Sequence, residues 1–219
     1  MNGDTAMSQG RGAPVCIAEN LTKRFGGRGA YTLGPVSLTI HAGEIVGLRG
    51  ENGAGKSTLL SLLAGIQKPD SGTIRHASEE KGSVAYVPQE LSLYEALSGN
   101  ANLKFYGLAA GLPFRAIRVR RRWLLKELGL SDKARVKVSA YSGGMKRRLH
   151  LASALMVTPS LLLLDEPTVG ADTQSVENIL HLISHLKTLQ CGVVLVTHSD
   201  AELQSVSDRI ITLQNGKVV

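Results

Sequence analysis

The sequence predicts an α/β fold with a mostly parallel central sheet, an N-terminal antiparallel β part and a small helical lobe. The apolar runs LLLLD at 161–165 and VVLVT at 193–197 are typical of strands that are buried on both faces. Between them, apolar residues recur at helical spacing. Strands that alternate with helices favour a parallel sheet. Residues 92–157 instead carry helical patterns interrupted by glycine and proline, which predicts the lobe.

The N-terminal elements are predicted from residue 15 onward. Residues 1–14 are rich in glycine, serine and small polar types, so we expect a disordered leader before a single domain over 15–219. The runs VCIAENL at 15–21 and VSLTI at 36–40 alternate or are rich in β-branched residues. They therefore predict half-buried strands.

The later elements continue the same patterns. EIVGLR at 44–49 predicts a strand that leads into glycine, and the leucines after Lys56 predict a helix that stops at Gly65. VAYVP at 84–88 predicts a short strand closed by proline, and the tail RIITLQNGKVV predicts a strand, an Asn-Gly turn and a further strand. The predicted apolar stripe of the helix between the two buried strands consists of Val176, Ile179, Leu180, Ile183, Leu186 and Leu189.

Composition excludes two classes of protein. The chain has 219 residues and no apolar run near the roughly 18–20 residues that span a bilayer, and its N-terminus lacks the apolar region of a signal peptide. Cys16 and Cys191 lie far apart and form no C-x-x-C pair, which is typical of thiols in the cytoplasm. An integral membrane protein and a secreted disulfide scaffold are thus excluded. The net charge of +7 suggests an anionic partner: nucleic acid, a membrane surface or a ligand.

Residues 50–57, GENGAGKS, fit the phosphate-binding pattern G-x-x-x-x-G-K-[ST], with a predicted strand before them and a helix after them. The glycines let backbone N–H groups point at phosphate oxygens, and the helix N-terminus adds about half a positive charge. Lys56 would contact the β- and γ-phosphates, Ser57 would ligate Mg²⁺, and Thr58 would hydrogen-bond the α-phosphate. The alternative is a glycine-rich turn that only connects strand and helix. The sequence predicts a P-loop NTPase core that binds a nucleoside triphosphate through Asn52, Gly53, Gly55, Lys56, Ser57 and Thr58.

Polar side chains follow the predicted strands where ligands of open α/β sheets bind. Asp165 and Glu166 end the run LLLL, which makes Asp165 the candidate magnesium ligand and Glu166 the candidate general base for the attacking water. Gln89 follows VAYVP, and its amide could reach Mg²⁺ or the water. His198 follows VVLVT and could donate to the γ-phosphate or orient Glu166. By itself each of these residues could equally be a solvated strand end.

A second glycine-containing helix start lies at 142–148, SGGMKRR, and this helix is predicted to run to about Thr158. Ser142 is a natural N-cap, and Gly143 and Gly144 would expose backbone N–H groups in the first turn. Three basic residues, 146–148, crowd the positive end of the helix, where cations are unfavourable. This conflict favours a role in docking an anion; the alternative is a solvated basic face.

At this point the motifs resemble a known family. GENGAGKST, VPQ, YSGGM, LLLLDEPT, GAD and VTHS occur in the order and spacing of an ABC-type ATPase domain. The resemblance extends over about residues 15–219 and implies the ABC ATPase fold. The signature serine–glycine–glycine separates this class from other P-loop proteins.

The resemblance implies a head-to-tail dimer of ATPase domains, either a homodimer or a heterodimer, with two ATP molecules between them. Ser142, Gly143 and Gly144 of one subunit would contact the ATP held by the other, and Asp172 matches the aspartate that links the two sites. Phe25 matches the aromatic residue that stacks on adenine, with Tyr31 as the alternative. The residues that hold ATP and Mg²⁺ within one subunit would be Lys56, Ser57, Thr58, Gln89, Asp165, Glu166 and His198.

YSGGMKRR, with VPQELSLYEALSGNANLKFYG, looks like the exporter branch that includes drug- and polysaccharide-efflux ATPases. This implies an ATPase that powers a separate integral membrane permease from the cytoplasmic face of the inner membrane. Met145 and Tyr141 stand where glutamine and leucine are usual, and Ala171 replaces a larger apolar residue. The alternative is a soluble ABC ATPase that acts on nucleic acid or ribosomes. Nucleic acid is disfavoured because such relatives carry two ATPase domains in one chain or a long insertion.

The positive charge is concentrated in one part of the sequence. Residues 104–148 contain 13 Lys and Arg against two Asp and Glu, a local net charge of +11. The densest part consists of Arg115, Arg118, Arg120, Arg121 and Arg122. We expect this face either to be merely solvated or to lie near anionic lipid headgroups or acidic permease loops.

Overall fold

A computed structural model describes residues 12–26, 31–80 and 82–219. Residues 1–11 of the predicted leader and the side chain of Tyr31 lie outside the described residues, and the first strand begins at Pro14. The strands are β1 (Pro14–Phe25), β2 (Tyr31–His41), β3 (Ile45–Arg49), β4 (Ser71–His76), β5 (Val84–Val87), β6 (Leu161–Asp165), β7 (Gly192–Val196), β8 (Arg209–Gln214) and β9 (Lys217–Val218). The α-helices are α1 (Lys56–Leu63), α2 (Gly99–Ala109), α3 (Phe114–Glu127), α4 (Gly143–Ala154), α5 (Thr173–Thr188) and α6 (Asp200–Val206).

The strands form two sheets. β2, β1 and β4 make an antiparallel sheet, while β5, β6, β7, β3, β8 and β9 make a mostly parallel sheet in that order. The predicted fold class is therefore confirmed. Strand β4 has no counterpart in the sequence analysis because its residues, SGTIRH, are polar and largely exposed and give no apolar pattern.

The register of the parallel sheet brings the functional motifs to one edge. Val87 at the end of β5 pairs with Leu164, and Asp165 at the end of β6 pairs with Val196. Leu48 near the end of β3 also pairs with Val196. The chain segments that follow these strands therefore leave the sheet side by side, although they are distant in sequence.

The parallel sheet separates two apolar layers. Leu161 and Leu163 pack with α1 and the antiparallel sheet, whereas Leu162 and Leu164 pack with the helical lobe and α5. All four are fully buried. Alternate side chains of one strand thus enter opposite layers, which explains why the run LLLL is continuous rather than alternating.

Three α-helices of the predicted lobe, α2, α3 and α4, pack on one another. The helix α4 ends at Ala154, so the predicted end near Thr158 is wrong. The Arg120 guanidinium of α3 donates to the carbonyl oxygens of Leu155 (2.7 Å) and Val157 (2.8 Å) just beyond that end. It thereby fixes α3 against the segment that follows α4.

The predicted stripe of α5 is partly wrong. Ile179, Ile183 and Leu186 are buried as predicted, but Leu189 lies beyond the helix end and is exposed. Leu182 is buried in its place. Over the described part of the chain, none of the helices is both long and apolar enough to cross a membrane.

Candidate nucleotide-binding site

A cavity of about 510 Å³ lies at the carboxyl edge of the parallel sheet. Its lining comes from the end of β1, the loop before α1, and the segments after β5, β6 and β7. The lining residues are Phe25, Asn52, Gly53, Gly55, Lys56, Ser57, Thr58, Gln89, Asp165, Glu166 and His198. The structure thus brings together every residue that the sequence analysis assigned to ATP, Mg²⁺ or catalysis within one subunit.

The loop before α1 is shaped by glycine. Gly53 and Gly55 have φ angles of 81° and 101°, a region that residues with a Cβ atom rarely adopt. Gly55 is the N-cap of α1 and supplies no side-chain hydrogen bond to the helix. The first amide groups of α1 therefore have no capping side chain, and the residues that carry them line the cavity, as a phosphate site requires.

Lys56 is buried at the base of this loop. Its ammonium group donates to the carbonyl oxygens of Gly50 (2.6 Å) and Glu51 (3.0 Å). These contacts hold the positive charge at the cavity wall, where a phosphate oxygen could become its next partner.

Glu166 is 5% exposed and has a φ of 52°, in the left-handed region. Such a backbone costs about 1–3 kcal/mol for a residue with a Cβ atom and persists only when its surroundings impose it. Here the Glu166 amide donates to the carbonyl oxygen of Val196, 3.0 Å away, so strand β7 fixes the turn. The strained turn aims the carboxylate at the cavity instead of along the strand.

Burial raises the pKa of the Glu166 carboxyl above its ordinary value, and the charge of Asp165 adds to this effect. His198 opposes it: its backbone amide donates to Oε2 (3.3 Å), and its Nε2 lies 3.2 Å from Oε1. The imidazole is close enough to Oε1 for an ion pair, but it is not oriented for a hydrogen bond. Oε1 is therefore buried without a hydrogen-bond donor. A buried acceptor of this kind fits a bound water.

The oxygen donors in the cavity fit Mg²⁺. Asp165, Ser57 and Gln89 offer a carboxylate, a hydroxyl and an amide oxygen, the hard ligands that Mg²⁺ prefers. The described residues contain no group of three or more His, Cys, Asp or Glu side chains that could hold a metal ion.

The sequence analysis missed polar residues that support the cavity. Tyr86 of β5 donates its hydroxyl to Oδ2 of Asp165 (3.4 Å), and burial together with the Asp165 charge raises the Tyr86 pKa to about 12. Thr168 and Thr197 both donate to Oε2 of Glu202, at 2.7 and 3.0 Å. These bonds tie the turn after β6 to the turn after β7. The pairing of adjacent strands could have suggested Tyr86, but Glu202 has no sequence signal.

Ser142, Gly143 and Gly144 do not line the cavity. Ser142 is the N-cap of α4 as predicted, since its hydroxyl accepts from the amide of Met145 at 3.2 Å. Ser142 and Gly143 are exposed, while Gly144 is buried against the start of α5. A Cβ atom on Gly144 would lie 2.3 Å from Oγ of Ser175 and 2.5 Å from Oδ2 of Asp172.

Asp172 also lies outside the cavity. It is the N-cap of α5, and its carboxylate accepts from the amide and the hydroxyl of Ser175, both at 2.9 Å. These two hydrogen bonds lower the Asp172 pKa. Within this chain, therefore, Asp172 caps α5 at the point where Gly144 of α4 lies against it.

The anion-docking role of the basic residues at 146–148 stays a prediction, and each of the three side chains has a partner within the molecule. Lys146 pairs with Glu95, and Arg148 is buried and donates to the carbonyl oxygen of Leu128 at 2.8 Å. Arg147 donates to the carbonyl oxygens of Val169 (3.2 Å) and Gln89. The cations that crowd the helix start are thus used by contacts inside the molecule.

The family model described as ABC transporter matches residues 33–169, more than half of the chain. The chain belongs to the ABC transporter ATPase family. The resemblance to ABC-type ATPase domains that the motifs predicted is therefore confirmed. ATP is the nucleotide that this family binds.

This chain is 36% identical to the linearmycin resistance ATP-binding protein LnrL of Bacillus subtilis. The match covers 92% of this chain and 67% of that protein. The chain is 35% identical to the Nod factor export ATP-binding protein I of Ralstonia nicotianae, over 94% and 66%. It is also 35% identical to the methionine import ATP-binding protein MetN 2 of Rhodococcus jostii, over 94% and 65%. The ABC domain thus spans about two thirds of the length of these relatives.

The fold agrees with solved ABC structures. A dimeric post-hydrolysis state of the ATP-binding cassette MJ0796, bound to ADP and Pi, superposes with a TM-score of 0.82 at 27% identity. The match covers 93% of this chain and 96% of that one. The resemblance therefore extends to a cassette that has been described as a dimer with the products of hydrolysis bound.

Proposed function

We propose that this ABC ATPase hydrolyses P-loop-bound ATP and uses the energy to drive a separate integral membrane permease, in the direction of export. The observation that carries the proposal is the single cavity in which the phosphate loop, Asp165, Glu166 and His198 meet. It combines a cradle for phosphates with a buried carboxylate of raised proton affinity, which is what a general base needs.

The residues of the cavity have different roles in binding and hydrolysis. The amides of the loop and Lys56 hold the phosphates, and Phe25, which is 36% exposed at the cavity rim, stacks on adenine. Glu166 takes the proton of the attacking water as the water's oxygen bonds to the γ-phosphorus and the bond to the β-phosphate oxygen breaks. His198 orients Glu166 and the γ-phosphate. Ser57, Gln89 and Asp165 hold Mg²⁺, which neutralises charge on the phosphates.

Two ATPase domains form the working unit in this proposal. Ser142 and Gly143 are exposed and remote from the cavity of their own chain, so they are free to contact ATP held by a second domain, with Gly144 beneath them. Asp172 would connect the two sites. The complex would sit at the cytoplasmic face of the inner membrane, with the helical lobe toward the permease.

Export is favoured over import by the sequence YSGGMKRR and by a relative that is named for Nod factor export, although another relative is named for methionine import. The direction is tested with the permease and ATPase reconstituted together in vesicles. With the ATPase outside, ATP should drive solute into the vesicle lumen. ATP-driven loss of preloaded solute would show an importer.

The proposed coupling is tested by isolating the tagged chain from detergent-solubilised membranes. We expect a partner with several apolar spans, and ATP hydrolysis by the complex that Glu166→Gln abolishes. Recovery of the chain on ribosomes or RNA, with binding that weakens steeply as salt rises, would replace the permease by the nucleic-acid alternative.

A further inference from the structure

The basic lobe contains a second cavity of about 280 Å³, remote from the nucleotide. It lies between α3 and the segment that follows it, beside the start of α2. Four arginines line it together with Asn100 and Ser131: Arg118, Arg121, Arg122 and Arg135. This cavity, the arginine pocket, therefore collects cations from two separate parts of the chain.

The charges of the arginine pocket are not neutralised by the protein. Over residues 12–26, 31–80 and 82–219, the arginines that pair with carboxylates are Arg49, Arg75 and Arg209, none of which lines the pocket. Arg120, in the middle of the same run, turns away to bind backbone carbonyls. The pocket cations thus lack the carboxylate partner that Lys146 of α4 has in Glu95.

One of these cations is also held in position. Nη1 of Arg121 donates to the carbonyl oxygen of Asn100 at 3.4 Å, so its guanidinium is directed across the start of α2. The amides of Gly99 and Asn100 already bind the carbonyl oxygens of Val136 and Ala134. An anion in the pocket would therefore be bound by guanidinium groups rather than by the helix N-terminus.

The pocket is large enough to hold a small anionic group. The nucleotide cavity, at about 510 Å³, is nearly twice as large. A single phosphate group fits the smaller one, and several guanidinium groups can bind it with paired hydrogen bonds. A pocket with this charge and volume is suited to one phosphate rather than to a nucleotide.

Exposed apolar side chains beside the arginine pocket indicate where the phosphate comes from. Val119 follows Arg118 directly and is 65% exposed, and Phe114 at the start of the same helix is 70% exposed. A phosphate compound in solution would leave both in water. A membrane surface would bury them at the boundary between headgroups and acyl chains, as happens with basic amphipathic helices.

We propose that the arginine pocket binds the phosphate of an anionic phospholipid, with Phe114 and Val119 entering the membrane interface beside it. The proposal deepens the proposed function and rests on it in one respect, the location of the protein at a membrane. The positive charge of the lobe would then form a defined binding site rather than a diffuse charged surface.

The test measures binding of the full-length chain to sedimented vesicles of phosphatidylcholine with about one third phosphatidylglycerol, and to vesicles of phosphatidylcholine alone. We expect binding to the first and little to the second. The variant Arg118→Glu/Arg122→Glu should weaken it by at least about 30-fold, since it removes two guanidinium groups that hydrogen-bond the phosphate, and each such charge-assisted bond contributes at least about fivefold.

The matched control is Arg115→Glu/Lys126→Glu. It makes the same change of charge at exposed positions of the same helix, outside the pocket. A loss of no more than a few-fold in the control supports the pocket. Equal losses in both variants would overturn it in favour of diffuse attraction, and so would failure of the unmodified chain to bind the anionic vesicles.

Two further measurements distinguish a phospholipid from other anionic ligands. Binding of inorganic phosphate in solution, abolished by Arg118→Glu/Arg122→Glu, with no vesicle binding, would make it a site for free phosphate. Unchanged vesicle binding with loss of the permease would assign the pocket to an acidic protein segment. ATP hydrolysis by each variant in solution reports on the proposed function separately, because none of these residues lines the nucleotide cavity.

Discussion

Two helices of this protein, α1 and α4, have glycine at their starts, yet the two helix starts are built differently. At α1 the N-cap is Gly55, which supplies no side-chain hydrogen bond, and the start of the helix faces a cavity within the chain. At α4 the Ser142 hydroxyl caps the helix, and the start is exposed outside that cavity.

The difference extends to the cations at the two starts. Lys56 is held at the wall of the cavity, where a ligand can bind it. The three cations of α4 are bound to Glu95 and to carbonyl oxygens elsewhere in the chain. We infer that α1 forms a phosphate site within one chain, whereas the start of α4, whose cations are bound inside the molecule, is a capped surface that must meet a ligand held by another domain.

The largest effect should come from removing a group that lines the nucleotide cavity. Lys56→Ala and Glu166→Gln are each expected to lower ATP hydrolysis at least about 100-fold, because one removes charge stabilisation and the other the general base. Phosphate release measured with saturating ATP and Mg²⁺ checks this. Lys68→Ala, at an exposed lysine outside the cavity, is the control and should hydrolyse ATP at the normal rate.

The α4 surface is tested by changing its charge without removing its cap. Ser142→Asp keeps an N-cap side chain but places a negative charge where the partner's ATP would lie. Combined with Glu166→Gln, which should trap the ATP-bound dimer, it should abolish dimer formation in light scattering. Ser142→Asn, a neutral cap, should dimerise normally. A dimer that tolerates the aspartate would show that α4 does not face ATP.

Gly144→Ala should destabilise the fold by about 1–3 kcal/mol, because its Cβ atom would collide with Ser175 and Asp172. The neighbouring Gly143→Ala is the control, since the nearest atom to its Cβ is the Gly170 oxygen at 3.5 Å. Urea unfolding of both variants measures the difference. Equal stabilities would mean that Gly144 is not needed to pack α4 on α5.

Arg147 joins three segments around the site, since it lies on α4 and donates to the carbonyl oxygens of Gln89 and Val169. Arg147→Met keeps much of the side-chain length but removes the donors. We expect hydrolysis to fall roughly tenfold through misplacement of Gln89, with a smaller change in ATP affinity. Arg147→Lys should recover part of the rate. A change in affinity alone would contradict the positioning role.

The smallest effect is a shift in pH dependence. Glu166 acts as a base only when ionised, and its pKa is raised, so kcat/KM should rise with pH through that pKa. His198 lowers the Glu166 pKa, so His198→Ala should raise it and move the acid limb of the profile to higher pH. An unmoved or oppositely shifted limb would mean that His198 does not act on Glu166.

Much of the fold could be predicted from local patterns, and the failures have identifiable causes. The continuous runs at β6 and β7 are strong signals because both faces of these strands are buried. The polar strand β4 has no such sequence signal, because it is held in the sheet by its pairing with β1 and not by burial of its own side chains. The end of α4 was placed too far along the chain because apolar residues continue past Ala154 into a segment that is held by Arg120.

The candidate site likewise contains some residues that could be predicted from the sequence and others that could not. The side chains that would touch ATP could be predicted because phosphate and magnesium chemistry restricts their type and spacing. Glu202 and Arg147 could not, because they support the site through contacts between distant turns and through the packing of α4. Tyr86 could have been suggested only by the pairing of β5 with β6, which its own sequence neighbourhood does not show.

The sequence by itself determined the chemistry at the sheet edge, because the glycines, lysine and serine of the phosphate loop stand at a fixed spacing and the carboxylates directly follow a buried strand. Only the tertiary structure decided how the positive charge is used. Along the chain, the arginines of α3 and α4 look alike. In three dimensions, those of α4 are bound by the protein, while four from α3 and the following segment surround a pocket. The availability of a charge depends on which atoms surround it, and that is settled only when distant segments pack together.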